Sequence, residues 1–346
     1  MKIAMLCRYF APHIGGVEKH VLGVSQEASK EGHVVDVFAL KHENTLLNIE
    51  VKDGVRIHRC KELMGGKISE RLTIWSWLLW NIPTFIAADI IQIHDVFYWY
   101  WPIRILLPWK KVYITYHGFE AGSLPTEKAK RTRQMIQRWT RGSMAVGSWI
   151  EKWYGTKPDT ITYGAAECIS HTSTQSKMPK QSNLFDAVFL GRLAEDTGLN
   201  IYAETLSEFK HFQLDIFGAG SLKKWARALA SKKRNITVLG TADDSCVVFP
   251  LYDIACVSSY LSIVEAMQSK VLVVAYAADE LKWDYLQAHP RARDMIIVRT
   301  REELSEFLRT YSNDRYAKQV ENAYQWASQQ TWNRVYGKYQ KLWSEK

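Results

Sequence analysis

The feature that most constrains this chain is a repeated change of hydrophobic period. Short apolar runs of strand character alternate with stretches of helical spacing, and the rhythm breaks once and then resumes. In the first half, strands are expected over 2–6, 34–40, 90–94 and 112–116, with shorter ones at 144–146 and 160–162, and 17–30 reads as an amphipathic helix. The stretch ISHTSTQSKMPKQSN, 169–183, is rich in Ser, Thr and Lys without any period, and reads as a linker. Beyond it, strands are expected at 187–190, 213–217, 236–239, 254–257 and 271–275. Helices are expected over 199–209, 221–230 and about 262–268, with a helical tail from residue 301. Strands alternating with helices imply a parallel sheet covered on both faces. The expected class is therefore α/β: two Rossmann-like domains, 1–168 and 184–330, with a cleft between the C-terminal edges of their sheets. Ligands of open parallel sheets bind at that edge.

A chain of 346 residues suits two domains, and 47% hydrophobic residues suffice for two cores. The formal net charge is +9, with most of the excess before residue 169. That excess fits either a solvated basic surface or an anionic partner. Cys7, Cys60, Cys168, Cys246 and Cys256 are odd in number and form no C-x-x-C pair. The pattern argues for a reducing compartment and against a zinc site or a disulfide framework. The N-terminal MKIAMLCRYF turns polar too soon for a signal peptide, and the greasiest stretch, 74–86, is too short to span a bilayer. A cytoplasmic protein is expected.

Five motifs sit at strand–helix junctions. Gly15-Gly16 opens the first helix, where free N–H groups and the positive dipole end suit a phosphate; a plain tight turn is the alternative. The pattern is not G-x-G-x-x-G, which disfavours a nicotinamide dehydrogenase. Tyr116-His117-Gly118-Phe119-Glu120 ends a strand and aims His117 at the cleft. Gly191-Arg192-Leu193 ends the first strand of the second domain, where a cation can neutralise a diphosphate. Gly218-Ala219-Gly220 forms a glycine-rich turn that permits close backbone approach to a nucleotide. Ser259 and Ser262 precede Glu265, a carboxylate able to accept both ribose hydroxyls. The spacing Ser262-x-x-Glu265 equally fits a capping box that needs no ligand.

In this order, GGVEKHV, IIQIHD, YHGFE, LGRLAEDTGL, IFGAGSL, NITVLGT, YDIACVSSYLSIVEAM and the tail WASQQTWNRVYGKY resemble the retaining glycosyltransferases of GT-B fold, in the family-4 group. The resemblance implies that the tail, 331–346, crosses back to the first domain. It also implies a nucleoside-diphosphate sugar as donor substrate, with no metal and no other cofactor. The Gly16 backbone would touch the donor phosphates, His117 the donor sugar, Arg192 the diphosphate, the 218–220 turn the base or phosphates, and Glu265 the ribose. Two departures stand out. The Lys usual five residues after that Arg is Thr197, and the first of two glutamates usually eight apart is Val257. Lys223 or Lys224 would be candidates for the missing charge, and Ser259 or Ser262 for part of the lost loop.

The expected acceptor is a glycan or glycolipid hydroxyl. Trp75, Trp77, Trp80 and Tyr98-Trp99-Tyr100-Trp101 lie in the same half as Lys128, Lys130, Arg131, Arg133, Arg138 and Arg141. Aromatics beside a basic helix suit an anionic membrane surface, or else core packing plus a solvated helix. No nucleic-acid partner is expected, since no reading module appears. Two other functions fit the same scaffold: a nucleotide-sugar epimerase, and a non-catalytic nucleotide-sugar-binding module.

Overall fold

The computed structural model describes residues 1–61, 66–118, 124–168 and 184–345. The expected linker, and Phe119 and Glu120 of the histidine motif, lie outside these. The described residues form two compact units: one holds those of 1–120, Pro125–Thr162 and the tail from Trp332, and the other holds Leu124 and those of 163–331.

The first unit is built on eight strands: β1 Lys2–Leu6, β2 Val34–Lys41, β3 Ile49–Lys52, β4 Val55–Lys61, β5 Ile90–His94, β6 Val112–Tyr116, β7 Gly142–Val146 and β8 Thr160–Thr162. Their order across the sheet is β3-β4-β2-β1-β5-β6-β7-β8, with every pair parallel except β3 and β4. That antiparallel hairpin is absent from the sequence expectations. Its signal is Asp53-Gly54, both at positive φ (50° and 77°), the pair that a two-residue hairpin turn selects. The helices are α1 Gly16–Lys30, α2 Lys67–Trp80, α3 Ile82–Ala87, α4 Phe97–Leu106, α5 Glu127–Trp139 and α6 Trp149–Tyr154. Asn81 and Pro83 divide the greasy stretch between α2 and α3. No helix among the described residues is long and apolar enough to cross a membrane.

The second unit carries β9 Phe185–Leu190, β10 Phe212–Phe217, β11 Ile236–Gly240, β12 Ile254–Cys256, β13 Leu272–Tyr276 and β14 Ile296–Val298, all parallel, in the order β11-β10-β9-β12-β13-β14. Its helices are α7 Leu199–Leu206, α8 Lys223–Ala230, α9 Ser245–Val248, α10 Tyr260–Gln268, α11 Glu280–Gln287, α12 Arg301–Thr310 and α13 Asn313–Ala327. Residues alternating along β10 (Phe212, Leu214, Ile216) and the inner face of α7 fill the core.

The last helix, α14 Trp332–Glu345, belongs to the first unit and packs along α1. Gly23 makes that possible: a Cβ there would stand 2.2 Å from the Trp332 ring. Polar pins fix it to the sheet, since Trp343 Nε1 donates to Gln92 Oε1 at 3.0 Å and Tyr339 Oη meets Thr115 Oγ1 at 2.8 Å. The cysteine expectation needs correction. Cys168 and Cys246, 78 residues apart, form a disulfide, while Cys7, Cys60 and Cys256 are free and buried. Spacing carries no trace of that pair, because the fold brings the segment before residue 169 against α9.

Candidate functional site

Each sheet has a switch point, where successive connections leave in opposite directions along the sheet; open α/β sheets bind ligands beside it. In the first sheet it lies between β1 and β5, and in the second between β9 and β12.

Around the first switch point stand Gly15 and Gly16 after β1, His94 ending β5, and His117 just past β6. Gly15 is the cap residue of α1 with no side-chain cap, so the first N–H groups of α1 lack a capping side chain. A Cβ at Gly15 would meet only the flexible end of Glu18, so sterics there demand glycine weakly. His94 Nδ1 lies 2.9 Å from His117 Nε2, and the His20 ring meets the His117 ring edge-on with centroids 4.7 Å apart. Asp95, at φ 59°, turns its carboxylate to accept the His117 backbone N–H at 3.2 Å. Arg133 does not join the outward basic face of α5. It stacks over the Tyr116 and Tyr154 rings and donates to the Gly118 carbonyl at 2.6 Å, bracing the loop that carries His117.

All three imidazoles are held neutral. Burial lowers His20 to about 3, and burial followed by neighbouring imidazoles pushes His94 and His117 well below the ordinary range. Among the described residues His94 Nε2 is buried without a partner. An orphaned N–H is rarer than an orphaned acceptor, so the network assigns the His94 proton to Nδ1, donating to His117. His117 then carries its own proton on Nδ1, for which no partner stands among the described residues. The result is a neutral N–H donor that costs no deprotonation to use.

In the second unit, Arg192 follows β9, the Gly218–Gly220 turn follows β10, and Ser259, Ser262 and Glu265 follow β12. Arg192 is exposed and forms an ion pair with Asp196 at 2.5 Å. The glycine turn serves packing. Gly218 and Gly220 have φ of 149° and 152°, and a Cβ on either would enter the backbone of Gly191 or Leu193 at 1.8 and 2.4 Å. The turn lies directly against the Gly191–Leu193 segment. The capping-box alternative also fails. α10 begins at Tyr260 with Ser259 at its cap position, so Ser262 lies inside the helix and is not placed to accept its first N–H groups. Ser259 Oγ instead donates to Ser262 Oγ at 3.0 Å. Glu265 stands in the second turn of α10, buried at 6% exposure. Among the described residues no group of His, Cys, Asp or Glu is arranged to hold a metal ion.

Residues 14–163 match the family model described as Glycosyltransferase Family 4, and residues 185–308 match Glycosyl transferases group 1. No curated protein matches by sequence. Several solved structures are similar over nearly the full length. Sucrose-phosphate synthase from Thermosynechococcus elongatus is 15% identical with a TM-score of 0.75, covering 99% of this chain and 98% of that one. The Anabaena HepE protein in complex with UDP and glucose is 17% identical with a TM-score of 0.75, covering 100% of both. A glycosyltransferase from Rickettsia africae is 17% identical with a TM-score of 0.72, covering 99% and 98%.

Proposed function

The chain belongs to the glycosyltransferases of GT-B fold, of the family-4 and group-1 type, and on that premise we propose that it is a retaining enzyme transferring a sugar from a nucleoside-diphosphate donor to an acceptor hydroxyl. One observation carries this reading: Arg192 and the Ser259–Glu265 segment follow β9 and β12, the two strands flanking the switch point of the second sheet. In the reaction the bond from the anomeric carbon to the diphosphate breaks. The acceptor oxygen bonds that carbon on the same face, and its proton passes to the departing phosphate oxygen. Arg192 neutralises the charge that develops there, Glu265 accepts the ribose hydroxyls, and the uncapped N–H groups at Gly16 suit a phosphate. His117 donates its Nδ1–H to the donor sugar.

The Anabaena HepE protein is known in complex with UDP-glucose, which makes UDP the first nucleotide to test. A thermal-shift panel of UDP, GDP, ADP and their sugars decides the matter. A selective rise in melting temperature is expected, by mass action on the native state. No shift with any of them overturns the reading.

The acceptor is proposed to be a lipid-linked or cell-surface glycan met at the inner face of an anionic membrane. Trp99 and Tyr100 pack in the core, so they are not part of that surface. Ile68, Leu72 and Trp80 from α2, Ile105 and Leu106 from α4, and Trp109 are exposed, with Trp80 at 87%. Arg71, Arg104 and Lys110 accompany them in sequence. Apolar side chains interleaved with cations are the composition of a peripheral membrane surface.

A further inference from the structure

Thr197 leaves the second unit one cation short of what two phosphates ask for. Its hydroxyl is committed to its own turn, donating to the Ala194 carbonyl at 2.6 Å. Lys223 and Lys224 follow β10, one strand removed from the switch point on the side away from β12. A different lysine stands on the other side. Lys282 lies in the first turn of α11, after β13, and its Nζ donates to the Ser258 carbonyl at 2.5 Å. That carbonyl immediately precedes Ser259, at the entrance to the helix carrying Glu265. The same ammonium sits over the Tyr285 ring, 4.4 Å from its centroid.

Three facts make this an unusual place for a resting lysine. It occupies the N-terminal turn of a helix, where the dipole opposes a cation. Burial costs it enough solvation to lower its pKa to about 8. Among the described residues it forms no ion pair; Asp196 and Asp279 act on it only at longer range. Buried ammonium groups are ordinarily paired. The Arg192 charge also reaches it and opposes it, though less than Asp196 and Asp279 favour it, so two cations converge on the ends of β9, β12 and β13 with Asp196 already paired to one of them. Gly198 holds the Arg192 turn against that corner: a Cβ there would stand 2.6 Å from the Tyr276 ring at the end of β13.

We propose that Lys282 is the second diphosphate-binding cation of this enzyme, supplying from the first turn of α11 the charge that Thr197 lacks. The inference rests on the reading that Arg192 and Glu265 hold a nucleoside diphosphate. On binding, one N–H of the ammonium turns to a phosphate oxygen while the Ser258 carbonyl keeps another.

Calorimetry with UDP, GDP and UMP tests it on the intact protein. Lys282→Met should weaken the diphosphate that binds wild type by about tenfold or more, the worth of one charge-assisted hydrogen bond, and weaken UMP less. A purely structural lysine would not produce the accompanying pH signature. Wild-type affinity for the diphosphate should fall as pH rises from 7 to 9, while Lys282→Arg, which does not titrate there, should stay tight and flat. If Lys282→Met fails to fold, the Arg variant's pH profile alone decides. Wild-type affinity and pH dependence in Lys282→Met, or an unchanged pH dependence in Lys282→Arg, overturns the proposal. If Glu265→Ala still weakens the diphosphate in that case, the functional reading stands and only the assignment of Lys282 falls. If neither UDP nor GDP binds wild type, both fall together.

Discussion

His94 Nδ1 and His117 Nε2 stand 2.9 Å apart, two neutral imidazoles at the ends of adjacent parallel strands joined by one N–H. The contact fixes which nitrogen of His117 is left to face a ligand. His94→Phe keeps a buried ring but removes the donor, so His117 can carry its proton on either nitrogen. Up to about a tenfold loss in kcat/KM for the donor sugar is expected, with a larger loss for His117→Ala. Steady-state kinetics with thermal unfolding as a control checks it; an unchanged His94→Phe enzyme removes His94 as a positioning residue.

Stability should fall in acid below the range of ordinary histidine titration. His20 is held at about 3 in the folded state against 6.5 in an unperturbed one. The unfolded chain therefore takes up its proton first as pH drops. His20's neutral burial costs nothing above pH about 6.5, and stability is lost progressively as pH falls from there toward 3. At pH 5 the loss from His20 alone is about 2 kcal/mol. His20→Gln, which can still meet the Tyr339 hydroxyl, should flatten that part of the profile in denaturant titrations. An equally steep profile in the variant would assign the acid sensitivity elsewhere.

Arg192→Ala should lower turnover at least ~100-fold with the fold intact, the usual effect of removing one preorganised donor from developing charge. Asp196→Ala should do the opposite at the binding step. The exposed pair it breaks is worth at most about 1 kcal/mol, so freeing the guanidinium should tighten the nucleoside diphosphate by a few fold at most. Turnover near the wild-type rate in Arg192→Ala rejects the arginine as the main clamp.

Glu265→Ala should act on binding rather than chemistry. Loss of a carboxylate accepting two ribose hydroxyls is expected to weaken the nucleoside diphosphate by roughly tenfold or more and its 2′-deoxy counterpart, which keeps only the 3′-hydroxyl, by less. Equal losses for both would point to a packing role for this buried side chain.

Sedimentation with vesicles of phosphatidylserine and phosphatidylcholine tests the aromatic face. Binding should rise with the anionic fraction, fall with salt, and drop when Trp80 and Trp109, both exposed, become Ser together. Salt-insensitive or absent binding removes the membrane from the proposal.

The parallel α/β architecture and the places where strands give way to helices are legible in the sequence alone, because both rest on local physics. Hydrophobic period marks strands such as Lys2–Leu6 and Ile90–His94, and a polar residue at the end of such a run must emerge at the sheet's carboxyl edge. The Asp53-Gly54 hairpin turn is written in the same local terms. Only the tertiary structure decided which side chains meet. Lys282 is 90 positions from Arg192, yet strand order sets their loops at one corner. His20 and Tyr339 are 319 positions apart, and become partners only when the last helix docks on the first. Glycine at 218 and 220 permits any close approach, and only the folded chain shows that one neighbour is its own Gly191–Leu193 backbone. Local pattern specifies conformation, whereas contacts between distant segments depend on how the sheets order their strands, which no window of sequence contains.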